Sequence, residues 1–305
     1  MVTTTESTNS LRCLLQFGEQ RLATHSPTPK LDAEVLLAFV AQIDRYKFLT
    51  EPSHEVASAD AARYRELIER RRLREPVAYL TGVKEFYSRD FSVTPAVLIP
   101  RPESELVIDR ALEVLLPKAK TQHDPFTVLD LGVGSGCLLL TLVAELKARG
   151  YQCEGIGIDI SSSALEVAKI NCAKLGVSEE VTFHLGSWFE PLHAATPKKC
   201  NLIISNPPYV GESEEVSPET QFEPSSALFA AEHGLQDVRT ILEQAPPFLE
   251  DDGVILIEVG AYKRKLLQEA LFKEESILSK WSFLTLLGDG SEEDRFTVIE
   301  GRKKG

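Results

Sequence analysis

Four consecutive residues near the middle of the chain, Asn206, Pro207, Pro208 and Tyr209, have the chemistry to hold a planar –NH2 group. They follow residues 201–205, an apolar run short enough to be a buried strand. Residues just past the carboxyl end of a parallel strand line the ligand crevice of an α/β sheet. The prolines leave backbone carbonyls as acceptors, the Asn side chain adds another, and the Tyr ring offers a face for stacking. A proline-rich loop with a tyrosine cap is the alternative, and the combination favours the binding site.

A glycine-rich turn stands between another predicted strand, residues 127–131, and a predicted helix. Such a turn lets the backbone approach a ligand at the amino terminus of the helix. Its third glycine comes one position too early for the Gly-x-Gly-x-x-Gly pattern of dinucleotide-binding domains. The turn consists of Gly132, Val133, Gly134, Ser135 and Gly136.

Two more side chains are placed at the ends of predicted strands. Asp159 ends the strand after the glycine turn, where a carboxylate can accept both ribose hydroxyls of an adenosine. A helix N-cap is the alternative, but Ser161 or Ser162 can serve there instead. Trp188 follows the strand at residues 181–185 and either lies against an adenine face or anchors the core. In combination with the glycine turn, Asp159 favours ribose binding.

Strands and helices alternate from residue 126 onward, which predicts a parallel sheet covered on both faces. The last two strands are close enough in sequence to pair antiparallel at the edge of the sheet. The fold class is therefore α/β, with strands predicted at residues 127–131, 155–158, 181–185, 201–205, 254–259, 282–287 and 296–300.

The segment from Leu11 to Arg74 has the periodicity of a small helical bundle. The third helix is expected to begin with Ser58 as its N-cap. One apolar face of the second helix is expected to consist of Leu31, Val35, Leu36 and Phe39. Four arginines crowd the end of the third helix, namely Arg70, Arg71, Arg72 and Arg74. A solvated last turn whose cations suit the helix dipole is favoured there over contact with an acidic partner or RNA.

A β-hairpin is predicted next, from two short strands at residues 85–87 and 91–94 around the polar residues 88–90. Two prolines then bracket Arg101 just before a helix, so the domain junction is expected there. The predicted organisation is a helical domain at residues 1–83, a hairpin linker at 84–99 and a third domain at 100–305.

Composition limits the classes of function. The formal net charge of −13 opposes broad adhesion to nucleic acid. No apolar run approaches the ~20 residues that span a bilayer. The five cysteines and six histidines are scattered, which predicts neither a disulfide framework nor a metal site and favours a reducing compartment. The polar residues 1–10 lack the pattern of a secretory signal, so a cytoplasmic location is expected, with organelle import left open.

Residues 130–136 together with the Asn-Pro-Pro-Tyr tetrapeptide resemble class I methyltransferases that use S-adenosyl-L-methionine. The resemblance narrows to the release factor glutamine methyltransferases (the PrmC/HemK family) at residues 76–82, 85–86, 98–105, 222–224 and 234–235. The segment at residues 99–105 distinguishes this family from the ribosomal-protein glutamine methyltransferases. In three departures from the pattern, Val133 and Ser104 stand where Thr is usual, and the Gln expected soon after residues 258–260 is absent. The last departure is expected to affect only a peripheral helix contact.

The resemblance implies a seven-stranded Rossmann-like class I methyltransferase domain behind the helical bundle and the hairpin. S-adenosyl-L-methionine is expected as the cofactor, held by the glycine turn, Asp159, Trp188 and Asn206. The implied reaction is N5-methylation of the glutamine in the Gly-Gly-Gln motif of class 1 peptide chain release factors. The helical domain is expected to dock the body of that protein substrate.

The same resemblance assigns roles around the substrate amide. Asn206 and Pro207 would accept its two hydrogens, with Pro208 beside them. Tyr209 would pack on the amide plane, and Leu98 would line the opposite side of the site. No residue stands out as a general base, and none is strictly needed, because the methylated nitrogen is acidic enough to lose its proton afterwards.

Two other classes of function are weighed against this one. N6-adenine and N2-guanine methyltransferases of DNA or RNA share the Asn-Pro-Pro-Tyr motif. The net negative charge of this chain disfavours a nucleic-acid substrate. A non-enzymatic adaptor that kept only the cofactor fold is disfavoured by the intact glycine turn, Asp159 and Asn206. We therefore predict no stable partner among nucleic acids, no membrane contact and no metal.

Overall fold

The structure is a computed structural model, which describes residues 8–118, 124–192, 198–288 and 296–304. The start of the polar amino-terminal segment, residues 1–7, lies outside the described residues. The chain divides into two compact units. The helical unit comprises Met1–Val83 together with Ser217–Phe222, and the sheet unit comprises Lys84–Val216 and Glu223–Gly305.

The helical unit is built around one apolar core. Its first helix begins after Ser10, whose hydroxyl accepts a hydrogen bond from the backbone N–H of Cys13 and so caps the helix. The helices pack their apolar faces together, with Leu14, Leu36 and Tyr64 among the buried side chains. Their bounds are α1 (Leu11–Leu22), α2 (Pro29–Ala41), α3 (Lys47–Thr50), α4 (Ser58–Arg72) and α5 (Val77–Thr81).

Two predictions for these helices are wrong. In α2, Leu31 and Phe39 are 44% and 36% exposed, although Leu36 is buried as expected. Apolar residues occur on more than one side of α2. Residues three and four positions apart can therefore also be found on its solvent-facing side. The buried set is Ala33, Leu36, Leu37 and Val40. Ser58 is the first residue of α4 and not its cap; Ala57 precedes it, and no side chain caps the helix.

The arginines at the end of α4 form ion pairs inside the helical unit. Arg71 is buried; its Nε donates to Asp32 Oδ2 at 2.6 Å and its Nη2 donates to Glu219 Oε1 at 3.2 Å. Arg74 donates to the other oxygen of Glu219 at 3.1 Å. The remaining pairs are Arg70 with Glu75 and Arg72 with Glu69. The expectation of a solvated last turn is therefore wrong for Arg71, which is buried, and correct for Arg70, which is exposed.

The predicted β-hairpin is present, formed by β1 (Val83–Phe86) and β2 (Arg89–Ser92). Its turn lies at Tyr87 and Ser88, whose φ angles are 51° and 57°. Two consecutive positive φ angles are those of a two-residue type I′ turn, which matches the twist of a hairpin. The turn predicted at residues 88–90 was therefore placed too far along the chain.

A seven-stranded sheet forms the centre of the second unit, in the order β10-β11-β9-β6-β3-β4-β5. The middle strands run parallel, whereas β11 pairs antiparallel with both β9 and β10. The predicted Rossmann-like α/β fold and the antiparallel edge pair are confirmed. The strands are β3 (Phe126–Leu131), β4 (Cys153–Asp159), β5 (Val181–Leu185), β6 (Cys200–Ser205), β9 (Leu249–Gly260), β10 (Trp281–Gly288) and β11 (Phe296–Lys303).

Helices cover both faces of this sheet, and each face has its own apolar cluster. Successive residues of a strand point to opposite faces, so Val128 joins one cluster and Leu129 joins the other. Helices α6 (Glu105–Leu115), α7 (Cys137–Ala148) and α8 (Ser162–Leu175) pack on the first face. The other face receives residues of α10 (Gln236–Gln244), α11 (Arg264–Glu269) and α12 (Glu275–Leu278). A short parallel ladder, β7 (Val210–Gly211) with β8 (Phe229–Ala230), and the one-turn α9 (Ala231–Gly234) complete the unit.

The register of the parallel strands brings their carboxyl ends to one edge. Leu131 of β3 pairs with Ile158 of β4 and with Ser205 of β6, and Ser205 pairs with Ile257 of β9. The residues that come next along these strands are Gly132, Asp159, Asn206 and Glu258. Ligands of open α/β sheets bind at this edge. Among the residues that the structure describes, no helix has both the length and the apolar character needed to cross a bilayer.

Candidate active site

A cavity of about 390 Å³ opens at this edge of the sheet. Most of the predicted site residues line it, namely Leu98, Gly132, Val133, Gly134, Ser135, Asp159, Trp188, Asn206 and Pro208. Three others lie behind the lining. Gly136 packs against α7, Pro207 is buried, and Tyr209 packs against the apolar cluster that includes Leu235 and Phe248.

The glycine turn needs glycine for its backbone shape and for its packing. The φ angles of Gly132, Gly134 and Gly136 are 75°, 53° and 82°, in the left-handed region that other residues avoid. A Cβ on Gly136 would lie 2.7 Å from Leu140 Cδ1, so this glycine lets α7 start close to the turn. The turn is also tied to α8, because Asn171 Nδ2 donates to the carbonyl of Ser135 at 2.9 Å.

Asp159 is held in place by backbone donors. Its Oδ2 accepts from the backbone N–H of Gly134 at 2.8 Å, and its Oδ1 accepts from that of Ser161 at 2.9 Å. Burial raises the pKa of Asp159, and these backbone hydrogen bonds oppose the shift. A carboxylate has about four acceptor sites, so Asp159 can still accept a ligand hydroxyl. Ser161 itself caps α8 by accepting from the N–H of Ala164, so Asp159 is not needed as the cap.

Asp130 is a site residue that the sequence analysis missed. It is almost completely buried and lines the cavity, and its Oδ1 has no hydrogen-bond partner within the described part of the chain. Burial raises the pKa of Asp130 to about 8, and the charge of Asp159 adds to the shift. A buried acceptor facing a cavity would be satisfied by a cationic ligand group. The signal available in the sequence was a carboxylate near the end of an apolar strand.

Trp188 borders the glycine turn. Its backbone has a φ angle of 46°, and its Cζ3 lies 3.9 Å from the position that a Cβ on Gly132 would take. The side chain is half-buried, packs against the apolar cluster beneath it and lines the cavity above. The two interpretations of Trp188 are therefore compatible, since one ring can anchor the core and still offer a surface to a flat ligand.

Glu258 is the second site residue that the sequence analysis missed. Asn206 Nδ2 donates to Glu258 Oε1 at 2.9 Å, which leaves the Oδ1 atom of Asn206 on the other side of the amide. Glu258 is 1% exposed, and burial raises its pKa to about 7. The signal in the sequence was a single charged residue in the otherwise apolar end of β9.

A buried carboxylate, that of Glu223, holds another part of the cavity wall in place. Glu223 accepts from the backbone N–H of Ile99 at 3.1 Å and from Arg101 Nη2 at 2.5 Å. These bonds anchor the segment that contributes Leu98 and Pro100 to the cavity. The segment at residues 99–105, which carries much of the resemblance, is thus part of the site.

The loop that carries Tyr209 rests on a strained turn. A Cβ on Gly234, whose φ angle is 85°, would lie 1.9 Å from the Tyr209 carbonyl oxygen, so only glycine fits. Lys263 is buried beside this turn and donates to the His233 carbonyl at 2.5 Å and to Glu214. Lys263 belongs to the segment that lacks the expected Gln. That segment supports the Tyr209 loop through Lys263, and the expectation that the missing Gln affects only a peripheral helix contact stays a prediction.

The strand order, with its antiparallel last strand, is that of class I methyltransferases, and this is the class that the fold and the cavity define. A family model for a methyltransferase domain matches residues 122–296. A second family model, for the PrmC N-terminal domain, matches residues 14–82.

Curated relatives narrow the class to a family. The release factor glutamine methyltransferase of Nitratidesulfovibrio vulgaris is 35% identical over 291 residues, which is 94% of each chain. That of Vibrio cholerae is 40% identical over 244 residues, or 79% of this chain and 81% of the relative. The chain belongs to the release factor glutamine methyltransferase family. Among solved structures, the hMettl16 catalytic domain in complex with MAT2A 3′UTR hairpin 1 has a TM-score of 0.55 at 13% identity, covering 87% of this chain and 90% of its own, and so shares the fold.

The methyl donor of this enzyme class is S-adenosyl-L-methionine, and the cavity residues fit it. The unpartnered oxygen of Asp130 suits the ammonium of the amino-acid part, and the free lone pairs of Asp159 suit ribose hydroxyls. Trp188 offers a surface for the adenine. The ammonium, the ribose and the adenine of the cofactor thus each have a chemical counterpart in the cavity.

Proposed function

We propose that the chain transfers a methyl group to the side-chain nitrogen of the glutamine in the Gly-Gly-Gln motif of class 1 peptide chain release factors. The observation that carries this proposal is the hydrogen bond from Asn206 to the buried Glu258, which sets the orientation of the Asn206 amide. That orientation offers an acceptor, and not a donor, to an incoming –NH2 group. The names of the relatives support the glutamine of a release factor as the group that is methylated.

The chain has to overcome the weak nucleophilicity of an amide nitrogen, whose lone pair is delocalised into the carbonyl. In the proposed mechanism, Asn206 Oδ1 and the Pro207 carbonyl accept the two amide hydrogens and fix the nitrogen. Positive charge that develops on the nitrogen strengthens both bonds, so they favour the transition state over the ground state. Pro208 and Leu98, which line the cavity, restrict the approach of the amide, while Tyr209 packs against the apolar cluster and supports the loop.

The bound cofactor would supply the methyl group from a sulfonium, and the electron pair of the broken C–S bond would stay on sulfur, which leaves as a neutral thioether. Asp130, Asp159 and Trp188 hold the cofactor, so that the two reacting groups meet in a fixed geometry. The glycine turn lets the backbone come close enough for this contact. No side chain has to act as a base before attack, because the methylated nitrogen can release its extra proton to water afterwards.

A nucleic-acid substrate is not supported by the basic residues of the helical unit. The four arginines at the end of α4 are matched by carboxylates, as in the pairs Arg71–Asp32 and Arg70–Glu75. Since these charges are already neutralised, they form no patch for phosphates. We place the activity in the cytoplasm, whose reducing conditions suit the free thiols of the chain.

The helical unit is proposed to recognise the protein substrate. We assign residues 1–83 to recognition, residues 84–99 to the hairpin linker and residues 100–305 to methyl transfer. A glutamine side chain offers little surface, so specificity requires contacts away from the reacting nitrogen. The helical unit carries exposed apolar side chains at Tyr46 and Leu49, the latter 87% exposed.

The reaction is tested by incubating the full chain with S-adenosyl-L-methionine and a class 1 release factor, followed by peptide mass spectrometry. One added methyl group on the glutamine of the Gly-Gly-Gln motif is expected. A release factor with Gly-Gly-Asn in its place serves as the control and should stay unmodified. Methylation of another residue, or of nucleic acid alone, would refute the proposal.

The recognition role is tested by comparing an intact release factor with a short Gly-Gly-Gln peptide. Leu49→Ser should raise KM for the intact factor and leave the peptide reaction unchanged. Ile170→Ser, at an exposed apolar residue of α8 in the sheet unit, is the matched control. Equal effects of Leu49→Ser on both substrates would remove this surface from the recognition element.

A further inference from the structure

We propose that Glu258 is a positioning residue, whose carboxylate selects the productive orientation of the Asn206 amide and strengthens its acceptor oxygen. The inference rests on the proposed function, since it concerns the same amide-binding site. Nothing in the resemblance or in the family matches assigns a role to Glu258. The contact that supports this role is a 2.9 Å hydrogen bond that Asn206 Nδ2 donates to Glu258 Oε1.

The strand register fixes this contact. Ser205 of β6 pairs with Ile257 of β9, so the next residue of each strand, Asn206 and Glu258, lie beside each other. Glu258 is 1% exposed, and its Oε2 has no hydrogen-bond partner within the described ranges. A buried carboxylate in this state is unfavourable for the fold alone. Glu258 is therefore a candidate for a functional residue.

An ionised carboxylate can only accept hydrogen bonds, whereas an amide has one accepting end and one donating end. Facing the carboxylate, Asn206 must present its –NH2 end and keep Oδ1 for the substrate. A protonated Glu258 could donate to Oδ1 and so stabilise the flipped amide as well. The negative charge also polarises the Asn206 amide, which strengthens the bond from Oδ1 to the substrate nitrogen as positive charge develops there.

The surroundings place the protonation equilibrium of Glu258 in an accessible range. Burial raises the pKa of Glu258 to about 7; Ser104 and Asn206 act against the shift, and so does the charge of Arg101. Glu103 adds to the shift. The other titratable groups that sense Glu258 are the Tyr209 hydroxyl and the Cys137 thiol, whose pKa values burial raises to about 12, so both stay neutral near pH 7.

The first test is the pH dependence of kcat for the full-length protein, at saturating cofactor and saturating release factor. The wild-type rate should fall as the pH drops through about 7, because Glu258 becomes protonated. Glu258→Gln keeps the size of the side chain and one acceptor but offers a donor too. It should lower kcat at pH 8 by roughly 10- to 100-fold, remove the step near pH 7 and leave cofactor affinity within about twofold.

Glu300→Gln is the matched control, because it also removes a buried carboxylate of the sheet. Glu300 is buried on the neighbouring strand β11, and its ion pairs are with Arg110 and Arg302. The variant should keep the wild-type pH profile. Wild-type kcat and an unchanged pH step in Glu258→Gln would overturn the proposal.

A second test needs no substrate. In protein labelled with ¹⁵N at asparagine, the side-chain –NH2 signals of Asn206, assigned through Asn206→Ala, should shift with a midpoint near pH 7 and lose this titration in Glu258→Gln. Signals that do not move would overturn the pairing. If no release factor is methylated but these signals titrate, the proposed function fails while the Asn206–Glu258 coupling stands.

Discussion

Buried carboxylates have different surroundings in the two units of this chain. In the helical unit, Asp32 accepts hydrogen bonds from Ser26, Thr28 and Arg71, so both of its oxygens are satisfied. In the sheet unit, Asp130 and Glu258 are just as deeply buried, yet each has one oxygen with no hydrogen-bond partner among the described residues. The first arrangement stabilises a fold. The second arrangement costs free energy unless a ligand donates a hydrogen bond to the unpartnered oxygen. Such carboxylates therefore indicate a ligand-binding site.

The largest expected effect concerns the amide that faces the reaction. Asn206→Ala removes the acceptor for the substrate and the donor to Glu258. Methylation should fall by roughly a thousandfold or more, because a preorganised hydrogen bond to the reacting centre is lost. Cofactor affinity, measured by calorimetry, should change little. Activity within tenfold of the wild type would show that this polar group is not part of the chemistry.

The helical unit allows a complementary test, in which the hydrogen-bonded carboxylate of Asp32 loses its cationic partner. Arg71→Met should lower the free energy of unfolding by about 3–5 kcal/mol, because Asp32 then keeps a buried charge without compensation. Arg70→Met breaks only the half-exposed pair with Glu75 and should lower it by about 0–1 kcal/mol. Denaturant unfolding measures both. Similar values for the two variants would contradict the distinction between the units.

Asp130→Asn should make the empty protein more stable at alkaline pH. The pKa of Asp130 rises from 3.8 to about 8 on folding, so the folded chain keeps a proton that the unfolded chain has released. Its contribution to stability therefore falls as the pH rises from about 4 to 8. At pH 9 the variant should be several kcal/mol more stable than the wild type, because each pKa unit of the shift corresponds to about 1.4 kcal/mol, and near pH 4 the two should hardly differ. A constant difference across this range would argue against a buried, titrating Asp130.

The same residue makes a prediction for binding. A cation beside Asp130 would lower its pKa, so cofactor binding at pH 7 should release close to one proton. Calorimetry in two buffers of different ionisation enthalpy measures this release. It should disappear in Asp130→Asn, and an unchanged value would place the titration on another group.

The smallest expected effect concerns Asp159, whose oxygens already accept backbone hydrogen bonds. Asp159→Ala should weaken cofactor binding by about 1.5–3 kcal/mol, the range for lost hydrogen bonds to a charged group. Glu166→Ala, at an exposed position of α8, serves as the control and should leave binding unchanged. Equal affinities for all three proteins would remove Asp159 from the cofactor site.

The sequence predicted the elements whose pattern is local. All seven strands of the sheet were expected, because a short apolar run between turn residues is typical of a buried strand. The solvent-facing Leu31 and Phe39 were misplaced because hydrophobic spacing cannot tell which of two apolar sides of a helix faces the core. The type of turn at Tyr87 and Ser88 depends on backbone angles that these residue types rarely adopt.

The missed site residues depend on contacts between distant parts of the chain. Asn206 and Glu258 are 52 residues apart, and only the register of β6 with β9 brings them together. Asp130 could have been noticed as a charge in a buried strand, but its unpartnered oxygen follows from packing around it. The same holds for Arg71, because Glu219, one of its two carboxylate partners, lies 148 residues away.

That separation also has a consequence for the order of events during synthesis. The helical unit includes Ser217–Phe222, and Glu219 pairs with both Arg71 and Arg74. Once Arg71 has been added to the growing chain, Glu219 is added 148 residues later. At about 5–20 residues per second, the nascent chain waits roughly 7–30 s. The apolar core of the amino-terminal unit lies within residues 11–80, but its ion pairs to Glu219 cannot form until β3, β4, β5 and β6 of the sheet have been translated.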